Sequence, residues 1–495
     1  MKLLLATVCL AACTFSAGAQ VIRIQPPPGI LGSLFGEWDA MRAFTVGDAK
    51  PRVYLAIGMS QGFVTGSPGG RAFVFDASNG QLVRTLESPL RQQFGHYGHS
   101  VDVAERVESD ELARMLAAAY LESVPGGPSA DGRAHVQNPL TGATLHTLAP
   151  ESQYSQSNFS LHGARFVPDL DGDGVDDVIV AAANQIPYGR VYVFSGATGE
   201  RIHLLASPVN AMGEFGSAVV ALSDGDGDGF GDFAVLDMRE PWNDGSGFRG
   251  VVHLFSGASG TLRASARYRS PFYMNACGDV SGDGVTDFLL QTSAQLPEYP
   301  GSNGTVRLYS GTDLSILHTF PSPDPVANPG GFGGAIGGCP DLDHDGCPEI
   351  LIGSATYQVQ PGPVPAPTNG AVYIYSGRTF SLLRLLVQPT GLLNTAFGNG
   401  LTWVPDVNHD GVPEIAVAAP NEPIGPPPYQ IRGAVYIILS CPADWDADGD
   451  ATAADFFGFL DSFFALDQYA DFNRDGLVNS QDFFDYLSAF FAGCE

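Results

Sequence analysis

The sequence predicts a mainly β fold: a seven-bladed β-propeller followed by a small α-helical module. Three observations carry this. A nine-residue acidic loop, Asp-x-Asp-x-Asp-Gly-x-x-Asp in its fullest form, opens at Asp169, Asp224, Asp279, Asp341 and Asp406, about sixty residues apart. A glycine-led, β-rich stretch recurs at Gly70, Gly132, Gly189, Gly250, Gly304, Gly370 and Gly433. A Phe-led stretch recurs at Phe35, Phe94, Phe159, Phe215, Phe272, Phe332 and Phe397. A fixed long period means one supersecondary unit stacked many times, and both strand series give seven units.

The unit at 159–207 shows the internal order. Phe159 to Val167 leads into the acidic loop 169–177, and Val178 to Ala183 is an apolar run of strand length. Gly189 to Gly199 supplies a third strand and a tight turn, and Arg201 to Ala206 a fourth. Four short strands joined by turns and repeated radially form a propeller blade. The seventh unit lacks a fourth strand, because Cys441 opens a different composition. The β-rich piece Val21 to Gln25 is expected to supply it and close the ring, which removes exposed sheet edges.

The acidic loops have the chemistry of Ca²⁺ sites. Calcium takes six to eight oxygen ligands, usually carboxylates with a backbone carbonyl and water. The expected ligands are Asp169, Asp171, Asp173 and Asp177; Asp224, Asp226, Asp228 and Asp232; Asp279, Ser281, Asp283 and Asp287; Asp341, Asp343, Asp345 and Glu349; and Asp406, Asn408, Asp410 and Glu414. Glycine at position 6 permits the tight coil. The absence of soft ligands in the loops disfavours zinc or copper. Asp and Gly also make ordinary turns, but five such loops at one place in consecutive units argue for about five ions. Near Asp48 and Asp102 the pattern fails, with Lys50 and Arg106 close by, so the first two blades are expected to be metal-free.

From Cys441 onward a 27-residue tandem repeat begins. Asp444, Asp446, Asp448, Asp450 and Asp455 form one twelve-residue loop of EF-hand type, and Asp471, Asn473, Asp475, Leu477 (through its carbonyl) and Asp482 form another. A helix-length aromatic run follows each, so two further Ca²⁺ are expected.

These motifs carry two resemblances. Phe215-Gly216, Phe332-Gly333 and Phe397-Gly398, the acidic loops, and strands such as Val191-Tyr-Val-Phe and Val372-Tyr-Ile-Tyr resemble the FG-GAP repeats of integrin α-subunits and related bacterial propellers. That likeness, over roughly residues 21–440, implies calcium in the loop joining strands one and two. The duplicated Asp-Phe-Phe and the closing Phe-Phe-Ala-Gly493-Cys494 are similar to GC-type dockerin modules. This implies attachment to a scaffold or a cohesin-like receptor.

The expected organisation is a signal peptide at 1–19, a propeller at 20–440 and a calcium-binding anchoring module at 441–495. Lys2, the apolar Leu3 to Leu10 and Ala17-Gly-Ala19 give the signal pattern; the rival reading is a lipoprotein acylated at Cys13. No later run has the ~20 apolar residues of a membrane span. The product is read as secreted and associated with the cell surface. Acids outnumber basic residues 53 to 24, for a net charge of −29, which argues against nucleic acid as a partner. Cys441 and Cys494 are expected to pair, Cys339 and Cys347 flank an acidic loop and could also pair, and Cys277 is left over.

No catalytic motif is recognisable and no catalytic residue is assigned. The expected work is binding or adhesion, to a protein or surface glycan. The proline-rich loops joining strands two and three carry Trp242, Tyr299, Tyr357 and Tyr429 as candidate contacts. The alternative is a secreted hydrolase or lyase with its site in the propeller channel.

Overall fold

The computed structural model describes residues 21–493, except 29, 31–33, 38, 48–50, 62, 65–66, 105, 108, 124–130, 152–156, 158, 162, 209–212, 242–247, 269–270, 293–303, 324–330, 357–369, 425–429, 432 and 474–475. Seven antiparallel blades arise in chain order. In blade 3, for example, Ala164–Val167, Asp177–Ala182, Arg190–Phe194 and Arg201–Ala206 pair in sequence. The first strands of all seven blades touch one another in turn around a closed ring and line the axis.

Burial explains the strand compositions. Asp177–Ala182 is buried along its whole length, whereas the outer strand Arg201–Ala206 is half exposed. A strand packed on both faces reads as a continuous apolar run. The apolar clusters lie between blades. Cys277, Leu289 and Leu308 of blade 5 pack with Ile336, Ile350 and Tyr373 of blade 6.

The ring closes as expected. Val21–Ile24 pairs antiparallel with Ala434–Ile438, Val21 opposite Ile438 and Ile24 opposite Val435. Ile24 is buried between blades 7 and 1. Arg23 forms an ion pair with Glu422, a fully buried carboxylate that also accepts the Tyr436 hydroxyl.

The glycine before each third strand has a steric reason. A Cβ on Gly189 would lie 2.2 Å from the Phe215 carbonyl oxygen of the next blade, and one on Gly370 would lie 2.1 Å from that of Phe397. Both glycines also have positive φ. This contact corrects the Phe series in blade 2. Phe94 is 65% exposed, and the buried aromatic is Tyr97, whose carbonyl meets Gly70. The motif there is Tyr97-Gly98, so the assignment failed by three residues. A second correction concerns cysteines: Cys339 and Cys347 are free, as is Cys277. Cys339 is buried in the apolar cluster between blades 6 and 7, whereas Cys347 is only half-buried.

After the propeller, Ala453–Ala465 and Ser480–Ala492 form two helices with capping boxes, Thr452 with Asp455 and Asn479 with Asp482. Phe459 and Tyr486 stack at 4.0 Å between them. Trp445 and Ala470 complete their buried core.

Candidate metal centres and the channel

Each acidic loop is wound by its own carboxylates. In blade 3, Asp169 Oδ1 accepts the Gly172 N–H at 2.7 Å and Oδ2 that of Gly174 at 2.8 Å. Position 6 has positive φ in all five loops, at Gly174, Gly229, Gly284, Gly346 and Gly411. Position 4 does too, and it is not always glycine: His344 and His409 stand there with φ of 60° and 62°. Non-glycine residues in this region are uncommon and concentrate where the surroundings enforce them.

The position-9 acids are the buried anchors. Asp177, Asp232, Asp287, Glu349 and Glu414 are all at most 1% exposed. In blade 3, Asp177 Oδ2 accepts the Leu170 N–H at 2.8 Å and Oδ1 that of Gly196 at 2.9 Å, tying the loop to the turn between strands three and four. In blades 6 and 7 the longer Glu behaves differently. Oε2 accepts the position-2 amide, from Leu342 at 2.7 Å and Val407 at 3.0 Å. The other oxygens, Glu349 Oε1 and Glu414 Oε1, are buried without a hydrogen-bond partner. Such an orphaned acceptor costs free energy, and a cation would satisfy it.

Burial and the surrounding carboxylates push Glu349 up to about 10 and Glu414 up to about 8. Burial also raises Asp343 and Asp177 to about 6. Ligand oxygens of Asp341, Asp343, Asp345 and Glu349 lie within 4.8 Å of one another, as do those of Asp169, Asp171 and Asp177; Asp224, Asp226 and Asp232; and Asp406, Asp410 and Glu414. In blade 5, Asp279 and Asp283 wind the loop, while Ser281 N–H donates to Asp287 at 2.7 Å. Asn408 donates to Asp410 at 2.8 Å.

The segment that follows strand three supplies partners that the sequence reading missed. Its Ser or Thr hydroxyl donates to the position-5 Asp: Ser195 to Asp173 at 3.3 Å, Ser256 to Asp228 at 3.3 Å, Thr312 to Asp283 at 2.8 Å, Ser376 to Asp345 at 3.2 Å and Ser440 to Asp410 at 2.8 Å. The recurrent Ser-Gly ahead of the turn was the available signal.

In the terminal module, Asp444, Asp446 and Asp455 converge within the same distance. Asp444 Oδ1 is buried without a partner, and burial raises Asp444 to about 7. Asp448 and Asp450 line the exposed part of that loop. In the second loop Asp471 accepts the Gly476 N–H at 2.7 Å, Asp482 accepts that of Asn473 at 3.2 Å, and the Leu477 carbonyl accepts Asn479. Asp475 lies outside the described residues.

The first of these loops sits against the blade 6 loop. His344 packs on Trp445 at 4.2 Å and on Tyr469 at 5.3 Å. A hydrogen bond to Asp341, together with burial, pushes the Tyr469 hydroxyl up to about 12. Trp445→Ala is expected to remove both this contact and the module's core, at about 3–5 kcal/mol for a buried Trp. Limited proteolysis should then cut after residue 440 at least tenfold faster.

Acids and arginines also converge at one mouth of the channel. Arg165 pairs with Asp39 at 2.8 Å, Arg42 with Asp102 at 3.2 Å, and Tyr273 of blade 5 donates to Asp39 of blade 1. Asp102 accepts the Phe166 N–H at 2.7 Å. Asp102 is thus a strand residue facing the axis, not part of a blade 2 hairpin loop. The two arginines, led by Arg165, hold Asp39 below the usual carboxylate range despite its burial. Trp242, Tyr299, Tyr357 and Tyr429 all lie outside the described residues, so the long-loop face carries no geometry here.

Seven blades, of which blades 3 to 7 carry an acidic, carboxylate-wound loop in the first hairpin, define a class of propeller. Residues 397–438 match the FG-GAP repeat model. The chain is 26% identical over 234 residues to integrin alpha-5 of Xenopus laevis, covering 42% of this chain and 21% of that protein. It is 32% identical over 147 residues to integrin alpha-6 of Gallus gallus, covering 30% and 13%, and 30% identical over 210 residues to integrin alpha-IIb of Homo sapiens, covering 39% and 19%. The matched parts span about a fifth or less of those relatives. The chain is a seven-bladed β-propeller that matches the FG-GAP repeat at residues 397–438 and is similar in sequence to integrin α-subunits.

Proposed function

We propose that this is an exported, calcium-binding propeller that works by binding or adhesion, joined to a cell surface or extracellular scaffold by its terminal module. The observation that carries the calcium reading is the pair of orphaned, buried carboxylate oxygens of Glu349 and Glu414. The binding role rests on the integrin α-like repeat. Its partner would be a protein or surface glycan on the face opposite the acidic loops. Among the described residues no helix is long and apolar enough to cross a membrane; attachment is proposed to be through the terminal module, or alternatively through a lipid at Cys13.

The module is proposed to be dockerin-like, with a cohesin-like receptor. In support, its two helices repeat at 27 residues and leave Phe457, Phe464, Phe484 and Phe491 each at least 60% exposed. Aromatic patches of this kind suit docking. Cys441 is disulfide-bonded, consistent with closure through Cys494 and with an oxidising compartment.

The test is binding of the intact chain to arrays of purified glycans and matrix proteins, with and without chelator. Binding should require calcium, and Trp242→Ala with Tyr429→Ala should weaken it at least tenfold at unchanged melting temperature. Unaltered binding by the double variant would remove the long-loop face from the account. A second reading, a hydrolase or lyase, is favoured by the Asp39–Arg165 and Arg42–Asp102 convergence and by Glu37, which burial raises to about 7. Turnover of array glycans that is lost in Asp39→Asn would establish it.

A further inference from the structure

We propose that blade 4 supplies its own counter-ion: the Arg263 guanidinium takes the cation position of the 224–232 loop, which therefore holds no metal. This rests on the calcium reading of the other loops and departs from it at one blade. Arg263 comes from the outer strand Leu262–Tyr268. Its Nη1 donates to Asp232, the buried position-9 acid, and its Nη2 donates to the Gly225 carbonyl at 2.5 Å. Its Nε lies 3.7 Å from Asp226, the position-3 acid. One side chain thus contacts positions 2, 3 and 9 of the loop. Only 18% of it is exposed.

Two substitutions make room for it, and they occur together. Counting from the Ser-Gly turn, the residue equivalent to Arg263 is Ile202 in blade 3, Leu317 in blade 5 and Leu383 in blade 6. Loop position 2 is Leu170, Val280 and Leu342 in the same blades. Each such pair shares one apolar cluster: Leu170 with Ile202, Val280 with Leu317, and Leu342 with Leu383. In blade 7, Val407 shares a cluster with Ile22 of the closing strand. Blade 4 alone replaces the pair, with Gly225 and Arg263. A Cβ on Gly225 would lie 2.9 Å from Arg263 Nη1, so the glycine is what admits the guanidinium.

The carboxylates still converge, with oxygens of Asp224, Asp226 and Asp232 within 4.8 Å of one another. Part of their negative charge is met by a tethered cation that cannot dissociate or be chelated. A divalent ion entering this cage would face a fixed positive charge and would have to share Asp232 with it. Blade 4 is then the one acidic hairpin whose order does not depend on the calcium concentration.

The experiment counts Ca²⁺ bound per intact chain by equilibrium dialysis and elemental analysis after chelation and reloading. Asp173→Asn in blade 3 should lower the count by one, whereas the equivalent Asp228→Asn in blade 4 should leave it unchanged. Arg263→Leu, alone and with Gly225→Leu to restore the sister-blade pair, should raise the count by one. A one-ion loss in Asp228→Asn, or no gain in a folded Arg263→Leu or double variant, overturns the proposal. If the wild-type chain binds no calcium, the calcium reading fails and this inference fails with it. Asp228 is exposed and touches only its own hairpin and turn, so its variant gives an answer even where the arginine variants do not fold.

Discussion

Stripping divalent cations from the intact chain is expected to lower its unfolding temperature by at least about 10 °C at pH 8 and by much less at pH 5. The size follows from mass action. One site held at a hundred times its Kd contributes ~2.7 kcal/mol, and ~1 kcal/mol is about 2–4 °C in a large domain, so a single saturated site already accounts for about 10 °C. The pH dependence follows from the position-9 acids. In the metal-stripped protein Glu349 and Glu414 are raised from 4.5 to about 10 and about 8, chiefly by burial and then by neighbouring carboxylates. Between those values and 4.5 the folded state holds protons that the unfolded chain has released. Stability therefore falls as pH rises through that window. With calcium bound, the same carboxylates are ionised in both states and that slope disappears. Differential scanning calorimetry with and without chelator at pH 5 and pH 8 reads both effects. Equal melting temperatures at pH 8 would contradict this role for the loops.

Deleting residues 20–24 is the second change with a large expected effect. It removes the strand that completes blade 7 and the whole register from Val21–Ile438 to Ile24–Val435. Ile24, 1% exposed, contributes about 2–3 kcal/mol of apolar burial. Glu422 loses Arg23; because the arginine is 39% exposed, this costs about 2 kcal/mol, less than the ~3–5 kcal/mol of a fully buried pair. The Tyr436 hydroxyl and Gln388 amide still reach that carboxylate, which limits the loss. The total, about 4–5 kcal/mol, is comparable to the net stability of a whole domain. The deletion also bares the edge of Ala434–Ile438, an aggregation template. Urea unfolding and light scattering check this; an unchanged urea midpoint would show that the ring does not depend on the N-terminal strand.

The ring was legible in the sequence because its two markers have steric causes. At Gly70, Gly132, Gly189 and Gly370 the glycine ahead of the third strand is required by the next blade's carbonyl, and the apolar second strands are required by burial on both faces. The Phe marker failed at blade 2 because the site asks for a buried aromatic, not for phenylalanine, and Tyr97 meets that need. The loops were legible as acidic cages through their spacing. Their contents were less so. Arg263 lies more than thirty residues from the carboxylates it meets, and only the sheet register brings it there. The contacts of Asp39 with Arg165 and Tyr273 join distant parts of the chain and carry no local signature for the same reason. The cysteine pair 339/347 shows the converse error: the two are close in sequence, but Cys339 is buried in the core between blades 6 and 7 and both thiols are free.

The most direct test of the account is calcium titration of the chelated, intact chain, followed calorimetrically at pH 7 beside a Glu349→Gln, Glu414→Gln double variant. The account predicts saturable binding of several ions per chain and a stoichiometry two lower in the double variant. No binding heat, or the same stoichiometry in both proteins, would show that the acidic hairpins wind themselves without metal.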